Sequence, residues 1–139
     1  MAQMVRDVMS PRPVTVQDSA TVFDAARAMR DANIGDVIVV KSGSVCGIVT
    51  DRDIVVRAVA EGRDPKSVKV GEICSAEIVT VTPDDPVDKV VSLMREKAIR
   101  RVPVVEGGRP VGVISLGDLA KEKDENSALA EISSARPNR

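Results

Sequence analysis

One sequence pattern occurs twice in this chain of 139 residues, and the duplication limits the folds that it can adopt. Residues 5–54 align without a gap on residues 70–119, at a constant offset of 65 residues. The tripeptide Val-Thr-Val, for example, stands at positions 14–16 and again at 79–81. A copy of about 60 residues buries little apolar surface by itself, so we expect the two copies to pack together through their strands.

Each copy predicts the element order strand, helix, strand, strand, helix. The first helix has apolar residues at the i, i+3, i+4, i+7 spacing, namely Val22, Ala25, Ala26 and Met29, then Val87, Val90, Val91 and Met94. Two apolar runs flank a polar turn at Ser42-Gly43 or Gly107-Gly108, which is typical of a β-hairpin. The closing helices are predicted over residues 51–60 and from residue 116. We therefore predict an α/β (α+β) fold of two pseudo-symmetric β-α-β-β-α repeats.

The boundaries of the repeats follow from the same alignment. We predict repeat 1 over residues 1–61, a linker over 62–69, repeat 2 over 70–124 and a polar tail over 125–139 that is partly helical or disordered. Candidate helix caps are Ser19 or Thr21 in the first copy, and Asp84 or Asp85 in the second, with Pro86 as the first helical residue.

Composition excludes several classes of function. There is no His, only two Cys and one aromatic residue, and the net charge is −1. These facts argue against His-based catalysis, a zinc site of four ligands within one chain, and nucleic-acid binding through charge or base stacking. No stretch approaches the roughly 18 apolar residues of a membrane span. We expect a cytoplasmic protein with no metal, no membrane and no nucleic-acid partner, and no enzymatic activity.

The duplicated pattern resembles the cystathionine-β-synthase (CBS) domain pair, often called a Bateman module. The resemblance is carried by Val5-Arg6-Asp7-Val8-Met9-Ser10, Gly47-Ile48-Val49-Thr50-Asp51-Arg52-Asp53-Ile54, Ile99-Arg100-Arg101-Val102-Pro103-Val104-Val105 and Gly112-Val113-Ile114-Ser115-Leu116-Gly117-Asp118-Leu119. In layout the chain is similar to stand-alone bacterial two-CBS proteins, including the hypoxic-response type. The resemblance implies a regulatory module that binds AMP, ADP, ATP, NAD(H) or S-adenosylmethionine in clefts between the repeats. It also implies a homodimer and an unknown effector protein.

Two hydroxyl–acid pairs, Thr50 with Asp53 and Ser115 with Asp118, allow two interpretations. A hydroxyl followed three residues later by an acid forms a capping box, which is a sufficient structural reason for both pairs. The same residues at a helix N-terminus also suit a phosphate and a ribose. The resemblance implies that Asp118 and Asp53 hold the ribose, with Ser115 and Thr50 near the phosphate.

The two predicted clefts differ in their arginines. Arg100 and Arg101 can give charge-assisted hydrogen bonds to a phosphate, or form a solvated pair at a turn. The first copy has Gly35-Asp36 there, partly compensated by Arg52, so the clefts should differ in affinity.

Aliphatic residues on the strands are mostly core candidates, but the resemblance implies that they also form an adenine slot: Val79, Val81, Ile99, Val102 and Pro103, with Val14, Val16, Ile34 and Val37 in the first copy. Ile38 replaces the proline that stands at Pro103. Cys46 is predicted as a small apolar strand residue, and a redox role for Cys74 is a weaker hypothesis.

Two functions therefore remain open at this stage: a sensor of adenosine-containing ligands, and a ligand-free structural or interaction module that dimerises and regulates a partner. An enzyme such as a nucleotide hydrolase has no support, because the chain has no His, no P-loop and no second carboxylate at a defensible spacing.

Overall fold

The computed structural model describes residues 3–75 and 78–123, which form two compact units. Residues 14–75 and residue 78 form the first-repeat unit, and residues 3–13 together with residues 79–123 form the second-repeat unit. The segment that leads into each repeat thus belongs to the unit built on the other repeat. The predicted boundaries at 1–61 and 70–124 describe the repeats along the chain and stay a prediction.

The described elements are α1 (Val5–Val8), β1 (Ser10–Pro11), β2 (Thr15–Gln17), α2 (Val22–Ala32), β3 (Asp36–Lys41), β4 (Ser44–Thr50), α3 (Asp51–Ile54) with a π-helical turn (Val55–Val59), α4 (Val70–Ile73), α5 (Val87–Lys97), β5 (Arg101–Glu106), β6 (Arg109–Ser115) and α6 (Leu116–Lys123). They follow the same order in both repeats, except that β1 and β2 of the first have no assigned strand as counterpart in the second, where the predicted strand before the helix is a single bridge at Val81. The predicted mixture of helices and strands is confirmed. The predicted tail over 125–139 lies outside the described residues.

The first-repeat unit has a three-stranded sheet in the order β2-β3-β4. β2 runs parallel to β3, and β3 pairs with β4 in antiparallel register, with a bulge between Val39 and Val40. On the outer side of β4, Ile48 forms an antiparallel bridge with Ser75, a residue of the leading segment of the second repeat.

The second-repeat unit repeats this topology and register. Its sheet has the order β1-β6-β5, and Ser10 of β1 lies opposite Val113 of β6. Val81 bridges Val104 in parallel, as Val16 pairs with Val39 in the other unit. Each residue in these pairings lies 65 positions from its counterpart in the first-repeat unit, so equivalent residues of the two copies make equivalent pairings. The duplication therefore extends to individual backbone pairings.

A separate hydrophobic core supports each unit. The buried residues of the first-repeat unit are Val22, Ala25, Met29, Val37, Val39, Val49, Ala58, Val68, Val70 and Ile73. Those of the second-repeat unit are Val5, Val81, Val87, Val90, Met94, Val102, Val104, Ile114 and Leu119. The helical spacing thus identified the buried face of α2 and α5, because both helices contribute residues at that spacing to the cores.

The two longer helices begin differently. Thr21 caps α2: its hydroxyl accepts the Asp24 N–H at 3.1 Å, and Asp24 accepts the Thr21 N–H at 3.2 Å. In α5 the prediction of Pro86 as the first helical residue is wrong. Pro86 has extended backbone (ψ 146°) and precedes the helix. Asp85 instead accepts the Thr82 N–H at 2.8 Å, so its carboxylate serves the preceding turn.

Both predicted hairpin turns are confirmed. The central residues have positive φ, 53° and 82° at Ser42 and Gly43, and 61° and 83° at Gly107 and Gly108. Two consecutive positive φ values are characteristic of a type I′ turn, whose twist matches that of the flanking strands. Each turn therefore sets the register of its hairpin.

Four elements were not predicted, and one of them is the two-residue strand β1 (Ser10–Pro11). α1 and α4 are one-turn helices that lead into each repeat, and they are too short to show a periodic pattern. The helix that follows β4 changes to π geometry over Val55–Val59. Runs of valine carry no signal that distinguishes π from α hydrogen bonding.

Ala98 ends α5 in the left-handed conformation, at φ 54° and ψ 43°. A Cβ is unfavourable there, whereas Asn33 at the end of α2 (φ 60°) belongs to a residue type that tolerates this region. We predict that Ala98→Gly stabilises the protein by about 0.5–1 kcal/mol and that Asn33→Gly changes stability less. Urea unfolding followed by far-ultraviolet circular dichroism measures both, and a loss of stability in Ala98→Gly would contradict the assignment.

Candidate functional site

The second-repeat unit holds a complete capping box where β6 meets α6. Ser115 Oγ accepts the Asp118 N–H at 3.1 Å, and Asp118 Oδ2 accepts the Ser115 N–H at 2.9 Å. Both side chains are half-buried. The carboxylate is therefore held in place by one of its oxygens and presents the other beside the start of the helix.

The first-repeat unit holds the matching box where β4 meets α3. Thr50 Oγ1 accepts the Asp53 N–H at 3.0 Å, and Asp53 Oδ2 accepts the Thr50 N–H at 2.9 Å. The capping interpretation of both pairs is confirmed. Their role toward a ligand stays a prediction, since capping and ligand contact use the same geometry.

Hairpin register determines which side chain faces each box. In the second-repeat unit Arg101, the first residue of β5, lies directly opposite Ser115. In the first-repeat unit Asp36 lies directly opposite Thr50. Residues directly opposite each other on antiparallel strands project to the same face of the sheet. The hydroxyl thus shares its face with an arginine in one unit and with an aspartate in the other.

Further charged residues lie beside the Thr50 box. Asp51 follows Thr50 in the first-repeat unit, where its carboxylate accepts the Arg52 N–H at 2.8 Å. Asp53 Oδ1 lies 3.9 Å from Arg57 Nε. Leu116 and Gly117 occupy the places of Asp51 and Arg52 in the second-repeat unit. The Thr50 box thus has both carboxylates and guanidinium groups beside it. At the Ser115 box, Arg101 and Leu116 replace the two aspartates.

Arg100 immediately precedes Arg101, at the bend before β5. Its carbonyl accepts the Leu116 N–H at 2.8 Å, and its side chain is exposed. Gly35 makes the equivalent backbone bond, accepting the Asp51 N–H at 2.9 Å. A Cβ at Gly35 would lie 3.0 Å from Asp51 Oδ2, whereas the second copy carries a full arginine at this place. The backbone register therefore places Arg101 beside Ser115, whereas the side chain of Arg100 is exposed just before β5.

The predicted adenine-slot residues divide by burial. Val37, Val81, Val102 and Pro103 are buried, and the three valines belong to the cores. The half-buried residues are Val14, Val16, Ile34, Val79 and Ile99. Only the half-buried residues keep side-chain surface that a ligand could contact. The three buried valines are core residues, as the alternative interpretation expects.

Gly47 and Gly112 allow close packing of backbone. A Cβ at Gly112 would lie 2.8 Å from the Ser10 carbonyl oxygen and 2.8 Å from Met9 Sδ. A Cβ at Gly47 would lie 2.7 Å from the Ser75 carbonyl oxygen. The sequence left open whether these glycines serve packing or ligand approach, and the structure shows packing of the leading segments.

Ser10 is a candidate site residue that the prediction omitted. Its hydroxyl lies 3.4 Å from Asp118 Oδ1 and 3.5 Å from Asp118 Oδ2. The two residues are 108 positions apart in the sequence, and only the exchange of leading segments brings them together. The identity of Ser10 with Ser75 at the repeat offset was the available signal.

The two thiols are poor candidates for a redox site. Burial raises the pKa of Cys46, and burial together with the nearby Cys46 raises the pKa of Cys74. A raised pKa lowers the fraction of thiolate, which is the reactive form. Both side chains pack against the core of the first-repeat unit. The hypothesis of redox sensing at Cys74 gains no support.

Within residues 3–75 and 78–123, no three His, Cys, Asp or Glu side chains group in a way that could hold a metal ion. No helix in the same part of the chain has the length and apolarity needed to cross a bilayer.

The fold and its paired boxes define a tandem α/β module, and comparisons with known proteins identify its class. A family model described as CBS domain matches residues 5–59 and 70–125. CBS domain-containing protein YhcV of Bacillus subtilis is 38% identical over 133 residues, covering 93% of this chain and 94% of the relative. The chain therefore belongs to the CBS-domain family, as a tandem pair.

Two solved structures share this fold. Hypoxic Response Protein I, crystallised with two coordinated zinc ions, superposes with a TM-score of 0.80 at 32% identity, covering 86% of this chain and 98% of that one. The CBS domain pair of protein MJ0100, in complex with 5′-methylthioadenosine and S-adenosyl-L-methionine, gives 0.80 at 28% identity, covering 91% and 100%. The predicted resemblance to hypoxic-response-type proteins is confirmed.

Thiol reactivity provides a test of the two cysteine environments. We predict that both cysteines of the folded protein react with iodoacetamide more slowly at pH 7.5 than in the urea-unfolded chain, because burial raises their pKa values. The rate should increase as the pH rises past 9.0, the usual value for a thiol. Mass spectrometry of the Cys46→Ser and Cys74→Ser variants assigns each rate. Faster reaction in the folded state would contradict this description.

Proposed function

We propose that this protein is a regulatory CBS pair that binds a phosphorylated adenosine ligand of the AMP or ATP type in the second-repeat unit. The observation that carries the proposal is the register of the β5–β6 hairpin. It places Arg101 opposite Ser115, at the start of the helix that Ser115 and Asp118 cap. A cation and a helix N-terminus on one face suit a phosphate.

The acid of the box supplies the second half of the recognition. Asp118 uses Oδ2 to hold the Ser115 N–H, which leaves Oδ1 for hydroxyl groups of a ribose. A carboxylate accepts hydrogen bonds from ribose hydroxyls in dinucleotide-binding folds. Support for an adenosine moiety comes from the MJ0100 domain pair, whose structure contains 5′-methylthioadenosine and S-adenosylmethionine.

The base is proposed to contact the half-buried aliphatic residues of the same unit. Val79 and Ile99 keep exposed surface, whereas Val81, Val102 and Pro103 are buried. Because the chain has no Trp or Tyr, an adenine here would rest on aliphatic side chains and would be read by main-chain groups.

The first-repeat unit is proposed to bind a phosphorylated ligand weakly or not at all. Asp36 faces Thr50, and Asp51 stands beside it, so a phosphate would meet carboxylates. Arg52 is exposed and is the compensating cation proposed for that box. The Thr50 and Asp53 pair would then act as a helix cap alone.

The proposed mechanism is regulation without catalysis. Ligand binding changes the populations of conformational states, and an effector protein in the cytoplasm recognises the favoured state. The amount of the change is limited by the difference in ligand affinity between those states. The structure offers charged and hydroxyl groups for binding, and the chain has no His to serve as a general base.

Titration calorimetry of the purified protein with AMP, ATP, NADH and S-adenosylmethionine tests the proposal. We expect one site per chain, and about 2.7 kcal/mol of added stability at a ligand concentration 100 times Kd. Asp118→Ala should abolish binding and Asp53→Ala should preserve it. The two variants are matched, since each removes the acid of one capping box at a cost of up to about 1 kcal/mol. Binding that survives Asp118→Ala would contradict the assignment of the site.

The role of Arg101 has its own test. We predict that Arg101→Ala weakens ATP and AMP binding at least about tenfold, the scale of a lost charge-assisted hydrogen bond, and that Arg101→Lys recovers part of it. Adenosine, which has no phosphate, is the control and should bind both proteins equally. An equal loss for adenosine and ATP would mean that the substitution disturbs the fold rather than a phosphate contact.

A second candidate is a ligand-free interaction module that dimerises and regulates a partner. It is favoured by the π-helical turn, where Val55, Val56 and Val59 are 56%, 45% and 60% exposed. Such a row of exposed valines is typical of a surface that a protein covers. If none of the four ligands gave binding heat up to millimolar concentration, and analytical ultracentrifugation showed a dimer, this second function would be favoured.

A further inference from the structure

We infer that Ser10 is a ribose-contacting residue of the second-repeat unit, acting together with Asp118 to recognise the two adjacent hydroxyl groups of the sugar. This inference rests on the proposed function and adds to it a residue from the opposite end of the chain. Ser10 lies on β1, in the segment that leads into the first repeat.

The argument begins with the geometry of the hydroxyl. Ser10 Oγ lies 3.4 Å and 3.5 Å from the two carboxylate oxygens of Asp118, almost equally far from both. An ordinary O–H···O hydrogen bond has a distance of about 2.7–2.8 Å. The serine hydroxyl is therefore beside the carboxylate but only loosely engaged by it, and a ligand hydroxyl can compete for both groups.

Chemical complementarity favours a diol as that ligand. Ionised Asp118 can only accept hydrogen bonds, whereas the Ser10 hydroxyl can also donate one. A ribose presents two neighbouring hydroxyls, each able to donate and to accept. One ribose hydroxyl can donate to Asp118 Oδ1 while the other accepts from the Ser10 hydroxyl. Ser10 and Asp118 together therefore contact both hydroxyls, with one donor and one acceptor.

The backbone holds Ser10 where this contact requires it. Ser10 pairs with Val113 of β6, and Pro11 pairs with Gly112. The Ser10 carbonyl approaches Gly112 so closely that a Cβ there would lie 2.8 Å from it. Since β6 leads directly to Ser115, the strand that carries Ser10 and the box that carries Asp118 share one rigid support.

The first-repeat unit provides a matched control. Ser75 is the counterpart of Ser10, and its backbone pairs with Ile48 in the same register. The acid of that unit, Asp53, has Arg57 Nε at 3.9 Å from Oδ1. Removing the Ser75 hydroxyl makes the same chemical change as removing that of Ser10. It does so in the unit that is proposed to bind phosphorylated ligands weakly, so it serves as the control.

The test is calorimetric titration of the full chain with AMP and ATP and with the 2′-deoxy and 3′-deoxy analogue of each. We expect Ser10→Ala to weaken AMP and ATP about fivefold, the scale of one hydrogen bond, with Ser10→Thr close to the parent protein. The loss should shrink or disappear for at least one deoxy analogue, because the hydroxyl that Ser10 contacts is then missing. Ser75→Ala should change no affinity.

The outcomes separate this inference from the proposed function. If neither AMP nor ATP binds the parent protein, the proposed function fails and the inference fails with it. If both bind and Asp118→Ala abolishes binding, unchanged affinity in Ser10→Ala overturns the inference alone. Equal weakening of AMP, ATP and every deoxy analogue by Ser10→Ala also overturns it, since a merely structural serine would act on all ligands alike. Ser10 is exposed, so the variant should keep the parent's thermal midpoint.

Discussion

The close approach of two backbones at Gly112 and at Gly47 is the constraint on which the rest of the structure depends. At both places the carbonyl of a serine from a leading segment occupies the space of the missing Cβ, at 2.8 Å and 2.7 Å. The approach adds the leading segment to the outer side of the hairpin and brings α1 or α4 onto the core, where Val5 and Val70 are buried. Neither repeat completes its unit from its own consecutive residues, so each described unit contains a segment that leads into the other repeat.

From that shared framework the two units diverge through a few side chains. The hydrogen bonds of the two capping boxes have nearly equal lengths, so the helix that follows β4 and the helix that follows β6 begin with the same local geometry. What differs is the residue opposite the hydroxyl, Arg101 in one unit and Asp36 in the other. A difference of sign at this position changes the electrostatic interaction with a phosphate from attraction to repulsion, while leaving the fold intact. Duplication thus permits one box to serve binding and the other to serve structure.

Most of the fold could be predicted from the sequence because its signals are local. The apolar spacing around Val22 and Val87, the paired turns at Ser42-Gly43 and Gly107-Gly108, and both boxes depend on residues within a few positions of one another. The exchange of leading segments could not be predicted, since an alignment of repeats records their order but not which sheet each segment joins. The contact of Ser10 with Asp118 was missed for the same reason, and the π-helical turn because valines favour no particular helical hydrogen bonding.

The exchange has a physical consequence for any ligand of the second-repeat unit. The groups that surround the Ser115 box come from β1 near the beginning of the chain and from β5, β6 and α6 near its end. A ligand that contacts both Ser10 and Asp118 would link these distant segments through one sugar, so its binding energy would oppose their separation. The close packing of β1 on Gly112 opposes the same separation. Occupancy of the site and the anchoring of the leading segment are then thermodynamically coupled, which is the requirement for a module whose ligand is to be sensed by another protein.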